Sequence, residues 1–251
     1  MAVFESGSVS IHYDLEGDGF PVLLIAPGGM RSANELWNTM PWNPRTLADD
    51  YRVIGMDQRN AGRSHAPVSA DDGWHTYTAD QLALLDHLGI DRCHVIGMCI
   101  GGPYIAALLL AAPDRFASAV MLQPVGVEPD ENNRSAFHDM FDQWSEACAA
   151  AHPEATPDTW RAFRSNMWDG DFVLTATERS LASVTTPLMV AQGNDLYHPA
   201  DTSRRIAAAV PGCEFVEEWK QGAALAGFDA TVRDFLGRHT PGRHTPSHHT
   251  Q

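Results

Sequence analysis

Cys93-His94-Val95-Ile96-Gly97-Met98-Cys99-Ile100-Gly101-Gly102-Pro103 decides how the rest of this chain is read. The first six residues form a short apolar run of the kind buried on both faces in a parallel sheet. Gly97, Gly101 and Gly102 then bracket a single reactive side chain, and an apolar segment at 103–112 has the length and composition of a buried helix. A nucleophile on a tight strand-to-helix turn needs small neighbours, because its backbone is strained and the helix packs close against the strand. The turn also puts Cys99 at a helix N-terminus, where free N–H groups and the helix dipole favour a thiolate. The alternative, an inert cysteine buried in a Gly-rich turn, fits the flanking strand and helix less well.

Working outward, further apolar runs occur at 22–26, 52–56, 118–123, 188–192 and 214–219. Helical spacing covers 80–88, and a terminal helix is expected over 229–236. Short strands alternating with helices imply an α/β fold with a mostly parallel sheet and helices on both faces. Residues 3–15 alternate and read as an antiparallel hairpin strand added at the edge. The alternation stops between 128 and 184, where Phe137, Met140, Phe141, Trp144, Trp160, Phe163, Met167 and Trp168 recur at helical spacing. These residues suggest a small helical cap over the carboxyl edge of the sheet. The expected organisation is a core of 1–127 and 185–238, a cap insertion of 128–184 and a disordered His-rich tail of 239–251.

The formal net charge of −15 argues against a nucleic-acid partner, which requires clustered Lys and Arg. The start of the chain lacks a basic segment followed by an apolar run, and the longest apolar stretches are far too short to span a bilayer. A cytoplasmic protein acting on a small-molecule substrate, without a membrane partner, is the expectation. The sequence carries no signal of oligomeric state. Four cysteines are widely spaced with no CxxC pair, so neither a zinc site nor a disulfide framework is expected. No phosphate-binding Gly-rich loop remains once 97–102 is read as the nucleophile turn, so no cofactor and no metal are expected.

Three further landmarks accompany the turn at Cys99: Ala26-Pro27-Gly28-Gly29-Met30, Asp57-Gln58-Arg59-Asn60-Ala61-Gly62-Arg63-Ser64, and Gly193-Asn194-Asp195-Leu196-Tyr197-His198-Pro199. In this order they resemble the oxyanion loop, the Asp-x-Arg-Gly-x-Gly-x-Ser loop and the acid loop of the α/β-hydrolase family, over about 3–236. The resemblance implies a nucleophile at Cys99, an acid at Asp195, and an oxyanion hole of two backbone N–H groups. One belongs to Ile100 and the other to Gly29, with Met30 as second choice. Asp57 and Arg59 are read as loop-stabilising partners.

The chain departs from the family where the general base should stand. No histidine follows the last strand, and none occurs between His198 and His239. His198, three residues after Asp195, is the first candidate replacement. His138 in the cap and Lys220, the sole lysine, at the end of the last strand are further possible bases, and His75 is a weaker one. The substrate pocket is expected to be walled by Met30, Met98, Phe137, Phe141, Trp144 and Trp168. The leading functional reading is cysteine-based acyl chemistry on a small hydrophobic ester or thioester with an atypical triad. A lyase, isomerase or cyclase using acid/base chemistry on the same fold stands close behind it, and a catalytically silent binding module third.

Overall fold

Alternation of side chains along the central strands explains the layering. A computed structural model describes residues 2–128 and 133–242. Its eight-stranded sheet has the order β1-β2-β4-β3-β5-β6-β7-β8, with β1 Ala2–Ser6, β2 Val9–Glu16, β3 Phe20–Ile25, β4 Tyr51–Met56, β5 Cys93–Met98, β6 Phe116–Leu122, β7 Leu188–Ala191 and β8 Glu214–Val216. β1 and β2 form the expected antiparallel hairpin at one edge, β2 also runs antiparallel to β4, and every pairing from β4 through β3 to β8 is parallel. The α-helices among the described residues are α1 Trp74–His87, α2 Gly101–Ala111, α3 Arg134–Cys148, α4 Pro157–Trp168, α5 Glu178–Leu181, α6 Ala200–Ala209 and α7 Gly222–His239.

In β5, Cys93 and Val95 face one core while Ile96 and Met98 face the other. In β3, Leu23 and Ile25 oppose Val22 and Leu24 in the same way. The first core is completed by α1, α2 and the 134–181 helices, the second by Trp37, Leu47 and the Phe228, Val232, Phe235 and Leu236 face of α7. Each aliphatic side chain so buried contributes about 1.5–3 kcal/mol, which is why strands apolar on both faces stay in the middle of the sheet.

β5 begins and ends where the sequence suggests. The expected terminal helix is longer, since α7 starts at Gly222, and β8 stops at Val216 because Glu217 and Glu218 are exposed. His239 is the last residue of α7, and residues 240–242 follow it. The rest of the expected tail, 243–251, lies outside the described residues.

Two loops at the carboxyl edge are fastened by the Asp57–Ser64 segment. Asp57 accepts from the Asn34 amide at 2.8 Å, and the Gln58 amide donates to the Ser32 carbonyl at 2.9 Å. Arg59 makes a two-pronged ion pair with Asp80 of α1 at 2.7 and 2.9 Å, with Asp72 at 3.7 Å. All three side chains are nearly buried. Arg59→Met would leave two carboxylates without their cation, and removal of one partner of a buried pair costs about 3–5 kcal/mol. A drop of that size in the unfolding free energy from urea titration is expected at neutral pH.

Candidate active site

Cys99 sits between β5 and α2 with φ of 61°, the left-handed region that a non-glycine residue enters only under constraint. Its amide donates to the Leu122 carbonyl at 3.0 Å, and its own carbonyl accepts from Gly102 and Val125 at 3.0 and 3.1 Å. The glycines beside it are required by close approach. A Cβ on Gly97 would lie 2.9 Å from the Gly101 backbone, and one on Gly102 would lie 2.4 Å from Pro124. The half-buried thiol opens into a cavity of about 260 Å³ lined by Gly28, Gly29, Arg31, Cys99, Val125, Phe137, Met140, Trp168, Tyr197 and His198.

The loop after β7 brings the other two groups together. Asp195 and His198 exchange backbone hydrogen bonds across a tight turn, at 3.1 and 3.3 Å. Asp195 Oδ1 accepts from the amides of Tyr197 and His198, both at 3.1 Å, and lies 2.7 Å from His198 Nδ1. The turn folds back onto Gly193, where any Cβ would meet the His198 carbonyl oxygen at 2.2 Å. With Nδ1 engaged, the imidazole has Nε2 left. That atom is buried and makes no hydrogen bond among the described residues, and the ring borders the same cavity as the Cys99 thiol, close enough for each group to act on the other's charge.

These contacts set the charge state. Burial pushes the Cys99 thiol up, but the positive ring of His198 and the N–H groups of Gly28 and Ile100 outweigh it, so the thiol ionises below its ordinary range. Burial pulls His198 down, yet the facing thiolate and Asp195 together push it up to about 9. Asp195 is held low, chiefly by its hydrogen bond from His198. The two shifts are mutual, since each group favours the charged form of the other.

The N–H groups at the sulphur are those of Ile100 and Gly28, the latter just before the 3-10 turn that starts at Gly29. Gly29 borders the cavity beneath Met140, whose sulphur would be 2.6 Å from a Cβ there.

Several expected site residues stand elsewhere. Met98 faces the α7 core, because the residue before the nucleophile alternates away from it, and Met30 is buried in the opposite core. Phe141 and Trp144 pack inside the helical insertion against Phe163, with ring centres 5.2 and 5.9 Å away. Phe137 and Trp168 do line the cavity, stacked 5.2 Å apart. His138 Nε2 is 2.8 Å from Asp169 Oδ1 and does not border the cavity. Lys220 donates to Asn194 Oδ1 at 2.9 Å and borders a separate cavity of about 340 Å³. His75 lines an open groove between α1, α2 and α4, away from Cys99. Met140, Val125, Arg31 and Tyr197 were not anticipated. Met140 had a readable signal, being three residues after Phe137 on one helical face.

Among the described residues no group of three or more His, Cys, Asp or Glu side chains converges as a metal site, and no helix is long and apolar enough to cross a membrane. The profile of the alpha/beta hydrolase fold family matches residues 21–161. The chain belongs to the α/β-hydrolase family. RutD of Stutzerimonas stutzeri (strain A1501), whose name proposes carbamate hydrolysis, is 26% identical over 232 residues, covering 81% of this chain and 86% of that protein. The 2-hydroxy-6-oxononadienedioate/2-hydroxy-6-oxononatrienedioate hydrolase of Paraburkholderia xenovorans (strain LB400) is 26% identical over 269 residues, covering 92% and 91%. Among solved structures, the enol-lactonase from Burkholderia xenovorans LB400 superposes with a TM-score of 0.68 at 20% identity, covering 94% of this α/β-hydrolase chain and 99% of that one. That last likeness bears on the fold alone.

Proposed function

We propose that this protein hydrolyses a small ester or thioester through a covalent acyl–Cys99 intermediate, with His198 as acid and base and Asp195 orienting it. The observation that carries the reading is His198 fixed by Asp195 at 2.7 Å while its ring borders the same cavity as the thiol. The hydrolase names of the relatives lend further support.

The Cys99 thiolate attacks the acyl carbon, and the carbonyl electron pair moves to oxygen. N–H donors from Ile100 and the 28–29 loop stabilise that oxyanion, each contributing roughly 3 kcal/mol. As the bond to the leaving group breaks, its electron pair stays on the leaving atom, which takes the proton from His198 Nε2. The proton-holding influence of the thiolate then vanishes, because the sulphur is acylated. His198 falls back toward a neutral base, accepts a proton from water, and the resulting hydroxide adds to the acyl carbon. Collapse expels the thiolate and releases the acid. One residue thus serves both half-reactions because its strongest positive bias is switched off by the first.

The test is the pH dependence of acylation on two leaving groups. With an alkyl ester, whose leaving oxygen needs a proton, the rate should rise as Cys99 ionises and fall as His198 deprotonates near pH 9. With a nitrophenyl ester, whose leaving group needs none, the alkaline fall should be absent. Intact-mass spectra of quenched reactions should show one acyl group, mapped to Cys99. Substrate cleavage with no acyl–Cys99 species under any quench, and identical profiles for both esters, would remove the reading in favour of proton-transfer chemistry.

A further inference from the structure

Among the described residues, and apart from the Cys99–His198 pair, the cavity has one fully charged wall residue. Arg31 ends the 3-10 turn Gly29–Arg31 and borders the same cavity as the thiol. Its guanidinium makes no hydrogen bond or ion pair among the described residues, and its recorded electrostatic neighbour is the Cys148 thiol. Among the described residues no Asp or Glu lines the cavity: Asp195 stands behind His198, and the remaining walls are Gly28, Gly29, Val125, Phe137, Met140, Trp168 and Tyr197. Most other arginines behave differently: Arg45, Arg59, Arg63, Arg115, Arg134, Arg161, Arg164, Arg205, Arg233 and Arg238 each pair with a carboxylate. In a chain of formal charge −15, an uncompensated cation at a reactive cavity is a local exception.

The Cys99–His198 pair carries no net charge whether neutral or ionised, so among the described wall residues Arg31 alone adds one, while Asp195 stands behind His198 and outside the wall. Arg31 itself is exposed, so solvent screens part of its charge, but an anion held against the apolar walls meets one fork of donors matched to carboxylate geometry. A sphere of the cavity's volume is roughly 8 Å across, enough for an acyl chain of a few carbons with a charged end. We infer that the acyl substrate carries a carboxylate at the end remote from the scissile carbonyl, and that Arg31 is the residue that selects it. This inference deepens the acyl-transfer reading and rests on it for the identity of the scissile bond, though the anion preference is a property of the cavity alone.

Two measurements separate the claims. The first compares kcat/KM for mono-nitrophenyl adipate and nitrophenyl hexanoate, with spontaneous cleavage subtracted. The adipate/hexanoate ratio should fall at least about fivefold in Arg31→Gln, fall less in Arg31→Lys, which keeps the charge without the fork, and drop further in Arg31→Glu. The second needs no turnover: the alkylation rate of Cys99 by iodoacetate relative to iodoacetamide, read by peptide mass. That ratio should fall in Arg31→Gln and shrink in wild type as salt screens the charge. A fall in the alkylation ratio without any ester cleavage would uphold the anion preference while sinking acyl transfer. Ratios that do not move on Arg31→Gln in either measurement would overturn the inference.

Discussion

Cys99→Ala is expected to lower kcat/KM on a small activated ester by about 10⁴-fold or more, close to the uncatalysed rate in the cavity. That is about 5.4 kcal/mol of transition-state stabilisation, more than either oxyanion donor supplies alone. Alanine fits the site without disturbing it, because the left-handed turn is held by backbone bonds to Leu122, Gly102 and Val125 that the side chain does not make. The variant should therefore fold and keep its ligand affinity, and only the nucleophile is lost. Cys99→Ser gives the complementary result. A hydroxyl is hardly ionised near neutrality and cannot form the charge pair that pushes His198 up, so the serine variant should be slow and its His198 should titrate well below about 9. Retention of wild-type turnover by Cys99→Ala would end the covalent proposal.

How much of this was legible in the sequence differs from element to element. The turn at Cys99 was readable because three glycines at fixed offsets answer a steric demand that few other local structures make. The beginning of α1 was not, since Trp74 to Thr78 lacks clean apolar spacing: Trp74 and Tyr77 face α2 and the inserted helices while Thr78 bonds its own helix backbone. The beginning of α7 was hidden by Gly222 and Gly227, which weaken local helix preference, and by alanines, which favour a helix but leave no apolar stripe to read; packing of Phe228 against Trp42 and Trp219 holds the helix in place. The Asp195–His198 pair was within reach because both residues share one short loop, so no long-range contact had to be guessed. The cavity walls were not, because helical periodicity says which residues share a face and not which face looks down on Cys99. Met98 is the instructive case: strand alternation alone puts it with Ile96 on the α7 side, and its nearness in sequence to Cys99 was misleading.

His198→Ala should cost about 10³-fold in kcat/KM on an alkyl ester, by removing the leaving-group acid, the water-activating base and the cation that keeps Cys99 ionised. The loss should be smaller on a nitrophenyl ester, whose acylation needs only a thiolate, and there the time course should change shape. A single Cys99-dependent burst followed by a stall is expected, because deacylation has no base. Two signs follow for pH. The thiol of the variant loses its strongest lowering influence, so alkylation of Cys99 by iodoacetamide should demand higher pH than in the wild type. The alkaline fall near 9 on alkyl esters should disappear with the group responsible for it. His138→Gln and Lys220→Met act as controls, since the structure engages those side chains with Asp169 and Asn194, and each should stay within about twofold of wild type. If His198→Ala turned over alkyl esters at the wild-type rate while Lys220→Met did not, the base would lie at the end of the last strand, near the place where the family's histidine is missing. The Asp195–His198 turn would then be a structural element of the loop and nothing more.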